Sequence, residues 1–383
     1  MIPLLVLGLT ELVRGALIFS LIPLFGKEVG LSVGAIGAAI SLLYLLDNLA
    51  RLPSGWIIDR FGGKWLMAGG MVISGIGIAL IYSHQNEGIF ILGGALFGLG
   101  FAPIWPTVIT GVAAKMPLSQ LSEALSKVFV AWLVGTGIGV ITINFLIARS
   151  FAVAFMLCAA VLIVAILFNV FGHFPYVQSK EIPQMSLYFK ELWGEIKSLW
   201  MLYPGMFVQN MSVGILMPIL AIYVTTVFNL PAEAFSYLFI GAGIFTVLLL
   251  IPAGKFADRF GVKWPLIFGF LVAAVCLALL PLQNKVIPAM AIGAVLGIAY
   301  SFILPAWNGL QARVVSPEKR GTMWAIFMTV EGMGTATGSF VGGKAWDMFS
   351  HQAPFFVSAI VLTAMAIFYA MGNIDRLLRR GQS

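Results

Sequence analysis

The chain has 383 residues, 60% of them hydrophobic and 10% charged, with a mean hydropathy of +1.01 and a net charge of +7. Soluble domains are roughly 45–50% apolar, so most of this chain is solvated by lipid. Its polar stretches leave no volume for a bulky soluble catalytic domain, and an enzyme is not expected.

A membrane-spanning helix takes roughly 20 apolar residues. The sequence predicts twelve, with cores at 3–25, 32–58, 65–83, 88–113, 124–147, 151–172, 203–228, 232–256, 264–282, 286–312, 321–345 and 353–373. In the first, Glu11 and Arg14 interrupt what a secretory signal would need as an unbroken apolar core, so it reads as a retained span. They stand three residues apart and share a helical face. The second helix places Asp47 within its span. Each acidic or basic residue at a helix centre costs roughly 2.5–3.5 kcal/mol on insertion scales, so these three must pair or face water. Such groups mark a substrate or proton site; a purely structural ion pair is the alternative.

At the end of helix two, Pro53, Gly55, Asp59, Arg60, Phe61, Gly62, Lys64 and Trp65 recur as Pro252, Gly254, Asp258, Arg259, Phe260, Gly261, Lys263 and Trp264. The offset, 258 less 59, is 199, and it also pairs Gly15 with Gly214, Gly98 with Gly297, Pro106 with Pro305 and Gly135 with Gly334. The chain is two tandem halves, the organisation of a transporter built from parallel repeats. The predicted division is a six-helix bundle over 1–174, a cytoplasmic amphipathic linker over 175–200 and a second bundle over 201–383. In the repeated turns Gly62 and Gly261 permit the reversal. Asp59 and Asp258 are placed to accept from a neighbouring helix N-terminus, and the basic residues to pair with acids or lipid phosphates. Both copies, from Gly55 to Lys64 and from Gly254 to Lys263, are expected to act as conformational-switch loops.

Helices four and five carry Trp105 and Trp132, which can stack on a sugar or a cation, with packing or interfacial anchoring as the alternative. Pro103, Pro106 and Pro305 allow bends within spans. Gly135, Gly137, Gly139, Gly334 and Gly338 permit close helix contact. In the linker, Met185, Phe189, Leu192, Ile196 and Leu199 recur at spacings of three and four opposite Lys190, Glu191, Glu195 and Lys197. That pattern describes a helix lying flat at the interface, or else a tether.

The offset sets Asn210, Val213 and Thr246 against Glu11, Arg14 and Asp47, so polarity concentrates in the first half. The second half offers Met206, Phe207, Met211, Met217, Phe239 and Phe245, a pliable apolar lining if they face the cavity. The combination suits an amphipathic substrate with a polar head and an oily tail. Glu331, on helix eleven, is a further intramembrane acid.

Arg60, Lys64, Lys115, Lys255, Arg259, Lys263, Arg313 and the terminal Arg376, Arg379 and Arg380 fall on one side of the twelve spans, against Lys27, Arg149, Lys285 and Lys344 on the other. Basic excess marks the cytoplasmic side, which places both termini there in a multi-pass protein of the cytoplasmic membrane. The net charge then rests on lipid headgroups and calls for no nucleic acid. Cys158 and Cys276 lie in apolar runs without metal or redox spacing. No ATP motif is present, so no cofactor is expected and energy would come from a proton gradient. Glu11, Asp47 and Glu331 are the candidate titrating groups, because a carboxylate in a low-dielectric site can exchange its proton near neutral pH.

The duplicated Gly-x-x-x-Asp-Arg-x-Gly-x-Lys string resembles the signature loop of the major facilitator superfamily. That implies an all-α membrane protein of twelve helices in two six-helix pseudo-repeats, rocking around a central site. Glu11-Leu-Val-Arg14-Gly15, Pro103-Ile-Trp105, Trp132-Leu-Val-Gly135 and Leu304-Pro-Ala-Trp-Asn308, followed by Ala312-Arg313, resemble the lipoteichoic acid anchor-glycolipid flippases of Gram-positive bacteria. This resemblance implies proton-coupled movement of a diglucosyl-diacylglycerol, with Glu11, Arg14, Asp47, Trp105 and Trp132 near the sugar head. Asn308 and Glu331 are the second half's contribution to the expected site. Glu331 stands where that family is expected to carry a neutral amide. A monomer working among membrane lipids is expected. A proton antiporter exporting amphipathic drugs would need the same acids and aromatics, whereas a non-transporting scaffold or receptor would have no reason to keep three costly intramembrane charges.

Overall fold

The computed structural model describes residues 2–83, 86–113, 121–172, 202–314 and 320–371. The expected linker over 175–200, Lys115 and the basic cluster at Arg376 to Arg380 lie outside the described residues, as does the side chain of Arg313. Every regular element among the described residues is helical. Twelve are numbered here: α1 Ile2–Glu28, α2 Val33–Phe61, α3 Lys64–Ser83, α4 Glu87–Val112, α5 Leu121–Ile147, α6 Phe151–Phe171, α7 Tyr203–Thr226, α8 Ala232–Phe260, α9 Lys263–Leu282, α10 Val286–Val314, α11 Arg320–Met348 and α12 Ala353–Met371. Eleven are long and apolar enough to cross a membrane. The exception is α11, whose 29 residues include Glu331, Lys344, Asp347 and several glycines and threonines. It is packed between α7 and α2, so protein rather than lipid covers much of its surface.

The sequence repeat is a structural repeat. Helices α2 and α8 begin and end at equivalent residues, and Gly62 and Gly261 terminate them at φ 84° and 85°, a left-handed conformation that only glycine adopts without strain. The pairs α1–α5, α2–α4 and α3–α6 reappear as α7–α11, α8–α10 and α9–α12. Glycines set the closest approaches. A Cβ on Gly135 or Gly139 would overlap the carbonyls of Gly8 or Leu12, and one on Gly334 or Gly338 those of Phe207 or Met211. Gly137 differs from expectation: it faces open space, because it lies on the side of α5 turned away from α1.

Three helices are interrupted near mid-span. In α1 a π-turn at Leu17–Leu21 precedes Pro23. Proline lacks an N–H and crowds the carbonyl four residues back, so the regular ladder cannot run through. Helix α4 breaks between Phe101 and Ile104, at Pro103, and α7 between Leu216 and Leu220, at Pro218. By contrast, α10 continues through Pro305.

The halves meet along α2–α11 and α5–α8. The Asp347 carboxylate accepts from the N–H groups of Val33 (3.2 Å) and Gly34 (2.6 Å), capping the N-terminus of α2 from the far end of α11. Asn144 Nδ2 donates to Ser236 Oγ (3.1 Å), which donates to the Ile141 carbonyl (2.9 Å), and Phe19 meets Phe239 at 6.1 Å between ring centroids. These contacts lie towards the end where α2 and α8 begin, opposite the repeated basic turns.

Candidate functional site

Four ionisable side chains form one cluster in the first half. Arg14 Nη2 donates to Asp47 Oδ2 at 3.0 Å, while Arg14 Nη1 lies 3.6 Å from Glu11 Oε1. One turn beyond Asp47 on α2, Arg51 binds the same carboxylate through two bonds, Nε to Oδ1 at 3.0 Å and Nη2 to Oδ2 at 2.8 Å. The two-pronged guanidinium geometry matches a carboxylate and makes this the firmest pair in the cluster. Glu11 also accepts from the indole N–H of Trp105 at 2.6 Å and from the Thr136 hydroxyl at 3.4 Å. The Arg14 guanidinium carbon lies 4.7 Å from the Phe101 ring centroid and 5.1 Å from that of Tyr44, a cation–π setting.

Local structure explains the convergence. Glu11 and Arg14 lie one turn apart just before the π-turn of α1, and π-bulges often occur at functional sites. Gly15 lets α1 approach Thr136 of α5, since a Cβ there would lie 2.8 Å from its carbonyl. The break at Pro103 places Trp105 at the start of the second segment of α4, with its N–H on Glu11. Trp132 and Phe129 of α5 complete an aromatic group with Trp105, at centroid separations of 6.3 and 5.9 Å.

The expectation that Glu11, Arg14 and Asp47 come together is met, but by pairing more than by hydration. Glu11 is 1% exposed and Asp47 0%, whereas the side chains of Arg14 and Arg51 retain 10% and 14%. Trp132 and Phe129, packed against Trp105, are exposed. Two acids and two bases balance, which is how a low-dielectric interior tolerates them.

The second half holds a smaller arrangement. Glu331 Oε1 accepts from Gln311 Nε2 at 2.7 Å and from the Trp307 indole N–H at 3.2 Å. Asn308, the expected contributor, lies on the same helix one turn before Gln311 and is exposed. The expected apolar lining is not continuous. Met206 and Met217 are buried in the core, Phe239 packs on Phe19 and Phe235, and Phe245 is exposed.

At the repeated turns, Arg60 lies over the rings of Trp56 and Phe61 at 5.5 and 5.3 Å, and Arg259 over Phe260 at 5.3 Å. Lys64 Nζ donates to the Gly172 carbonyl at 3.1 Å, tying the start of α3 to the end of α6. A Cβ on Gly55 would meet open space, and one on Gly254 only Pro305 at 3.6 Å. Asp258 is exposed; the side chain of Asp59 lies outside the described parts.

Arg51, Thr136, Trp307 and Gln311 were not anticipated. Arg51 carries the clearest signal, an acid and a base four apart within one span. The partners of Glu331 could not be chosen without knowing which face of α10 meets α11.

Trp105→Phe keeps the aromatic group but removes the hydrogen bond to Glu11. Hydrogen bonds to charged groups contribute about 1.5–3 kcal/mol. The variant should lose about that much in equilibrium unfolding in mixed micelles, while Trp132→Phe should be nearly neutral.

Comparison with known proteins agrees with this architecture. The proton-coupled antiporter flippase LtaA of Staphylococcus saprophyticus is 25% identical over 380 residues, spanning 97% of this chain and 93% of that protein. The solved nucleoside transporter NupG superposes with a TM-score of 0.79 at 15% identity, covering 96% of this chain and 97% of its own. A bacterial homologue of the human lysosomal transporter Spinster, solved in an inward-facing and unoccupied conformation, gives 0.79 at 16% identity, with 99% and 97% covered. The family model of the Major Facilitator Superfamily matches residues 4–201 and again 202–377. The chain is a multi-pass membrane transporter belonging to the Major Facilitator Superfamily.

Proposed function

We propose that this transporter is a proton-coupled flippase that moves a glycolipid, a diglucosyl-diacylglycerol, across the bacterial cytoplasmic membrane. The observation that carries the reading is the charge-balanced cluster of Glu11, Arg14, Asp47 and Arg51 beside the Trp105–Trp132 group. Buried charge offers a titratable switch, and the exposed aromatic group offers faces on which sugar rings stack. The similarity to LtaA, named a proton-coupled antiporter flippase, supports the same assignment.

Within the cluster the two carboxylates have different work. Asp47 is held by three charged N–H contacts from two arginines, whereas Glu11 has one loose arginine contact and two neutral donors. Glu11 is therefore the acid we assign to carry the proton, and Asp47 the one that anchors the two arginines. Neutral Glu11 leaves the cluster one positive charge in excess and frees Arg14 to rearrange. The halves then rock between two closures. Basic excess places the repeated turns and both termini in the cytoplasm, so the contacts at Asp347 and Ser236 correspond to an outward seal and an inward-open state. The protein works as a monomer among membrane lipids, without a bound cofactor. The basic and aromatic turns, Gly55 to Lys64 and Gly254 to Lys263, anchor the inner interface and exchange partners as the halves move.

The test is reconstitution in liposomes under an imposed pH gradient, comparing flipping of labelled diglucosyl-diacylglycerol with uptake of a lipophilic cation. Gradient-accelerated glycolipid flipping is expected, falling about tenfold or more in Glu11→Gln, equivalent to at least about 1.4 kcal/mol in the barrier. Gradient-driven uptake of the cation without glycolipid flipping would overturn this reading in favour of drug antiport.

A further inference from the structure

The cluster in the first half is electrically complete, but Glu331 is not. Both of its described donors, the Gln311 amide and the Trp307 indole, are neutral and bind the same oxygen, Oε1. Among the described residues, Tyr300 on α10 is a further titratable group close to it. On α2, which packs against α11, Asp47 is committed to Arg51 and to Arg14 of α1, and Arg51 to Asp47. Helices α7 and α12 contribute phenols at Tyr203 and Tyr369, the latter 6.1 Å from Trp307 ring to ring. No cation pairs with Glu331 among the described residues. A half-buried carboxylate held only by neutral donors is poorly compensated when charged, and binding a proton removes the deficit.

The surroundings repeat part of the first site. On α4 and α10, equivalent helices of the two halves, a tryptophan two residues after a proline donates its indole N–H to a glutamate, Trp105 to the buried Glu11 and Trp307 to the half-buried Glu331. The acid-bearing helices α2 and α11 also touch beside the acids. Gly332 abuts the side chain of Asn48, so the residues following Glu331 and Asp47 form a contact between the halves. A movement that re-sets this crossing changes the environment of both acids.

We propose that Glu331, with Trp307 and Gln311, forms a second proton-exchange site in the C-terminal half, separate from the Glu11 cluster. It rests on the proton-coupled reading above and adds a proton site that the first-half charges do not supply. The proton binds a carboxylate oxygen of Glu331 when the site faces one side and leaves from it when the crossing of α2 and α11 changes. Trp307 and Gln311 position the carboxylate.

The test is pH-difference infrared spectroscopy of the full chain in lipid, following the carbonyl stretch of protonated carboxylic acids. A titrating band should disappear in Glu331→Gln, persist in Glu11→Gln, and shift in Trp307→Phe, which loses one hydrogen bond to the acid. A Glu331→Gln spectrum that superposes on wild type would overturn the proposal. Should that variant fail to fold, a Trp307→Phe spectrum with no shifted band would overturn it equally. Transport in the same vesicles separates the two levels. Proton-coupled flipping without a Glu331 band removes the second site alone, whereas a Glu331 band without gradient-driven flipping supports this site and counts against the flippase reading.

Discussion

Asp47→Asn should cost about 3–5 kcal/mol of stability and stop transport, because it removes one partner of a buried pair and leaves charge uncompensated. Asp47 is fully buried and receives Arg14 from α1 and Arg51 from its own helix. Without its charge two guanidiniums share Glu11 alone, and that acid lies 3.6 Å from Arg14. The loss follows from imbalance rather than from a missing hydrogen bond, so a second substitution tests the cause. Asp47→Asn combined with Arg51→Gln restores neutrality and should recover more than half of the lost stability, with no recovery of transport. Equilibrium unfolding in mixed micelles reads both variants. A double variant no more stable than Asp47→Asn would show that charge balance is not what holds the cluster.

Gly37→Ala should shift the protein away from the conformation described here. A Cβ on Gly37 would overlap the Ser339 carbonyl oxygen and lie 3.1 Å from the Cα of Gly343, so relief requires backbone movement of α2 against α11. Overpacking of this kind costs about 1–3 kcal/mol. The cost falls on the state in which these ends meet, which corresponds to a population shift of about 5- to 150-fold towards the opposite state. Spin labels at Glu28→Cys and Phe349→Cys would report it as a longer distance between the ends of the two halves. The native Cys158 and Cys276 are buried and should stay unlabelled. An unchanged short distance would mean that this contact is not the outer seal.

The fold was legible because it is written twice. The repeated string matched α2 to α8 and Gly62 to Gly261, and the apolar segments did the rest, with the more polar α11 placed by its counterpart α5. Glu11, Arg14 and Asp47 stood out through their insertion cost, and the structure brings all three together with Trp105. What was not legible depends on helix rotation and on breaks. Asn308 belongs to a recognisable string, but the face of α10 that meets α11 carries Trp307 and Gln311. Gly137 sits between two packing glycines yet points away from α1. Arg51 was readable from its spacing to Asp47, whereas the π-turn that sets the direction of α1 beyond Arg14 emerges only from the packed backbone. The second half looked like an apolar lining from its composition, and packing sends its methionines and phenylalanines in different directions.

Proton movement triggered by glycolipid tests the coupling site most directly. Diglucosyl-diacylglycerol added to proteoliposomes loaded with a pH-sensitive dye should start proton movement with the wild-type protein and none with Glu11→Gln. Undiminished glycolipid-dependent proton movement in Glu11→Gln would contradict the role given to the buried cluster.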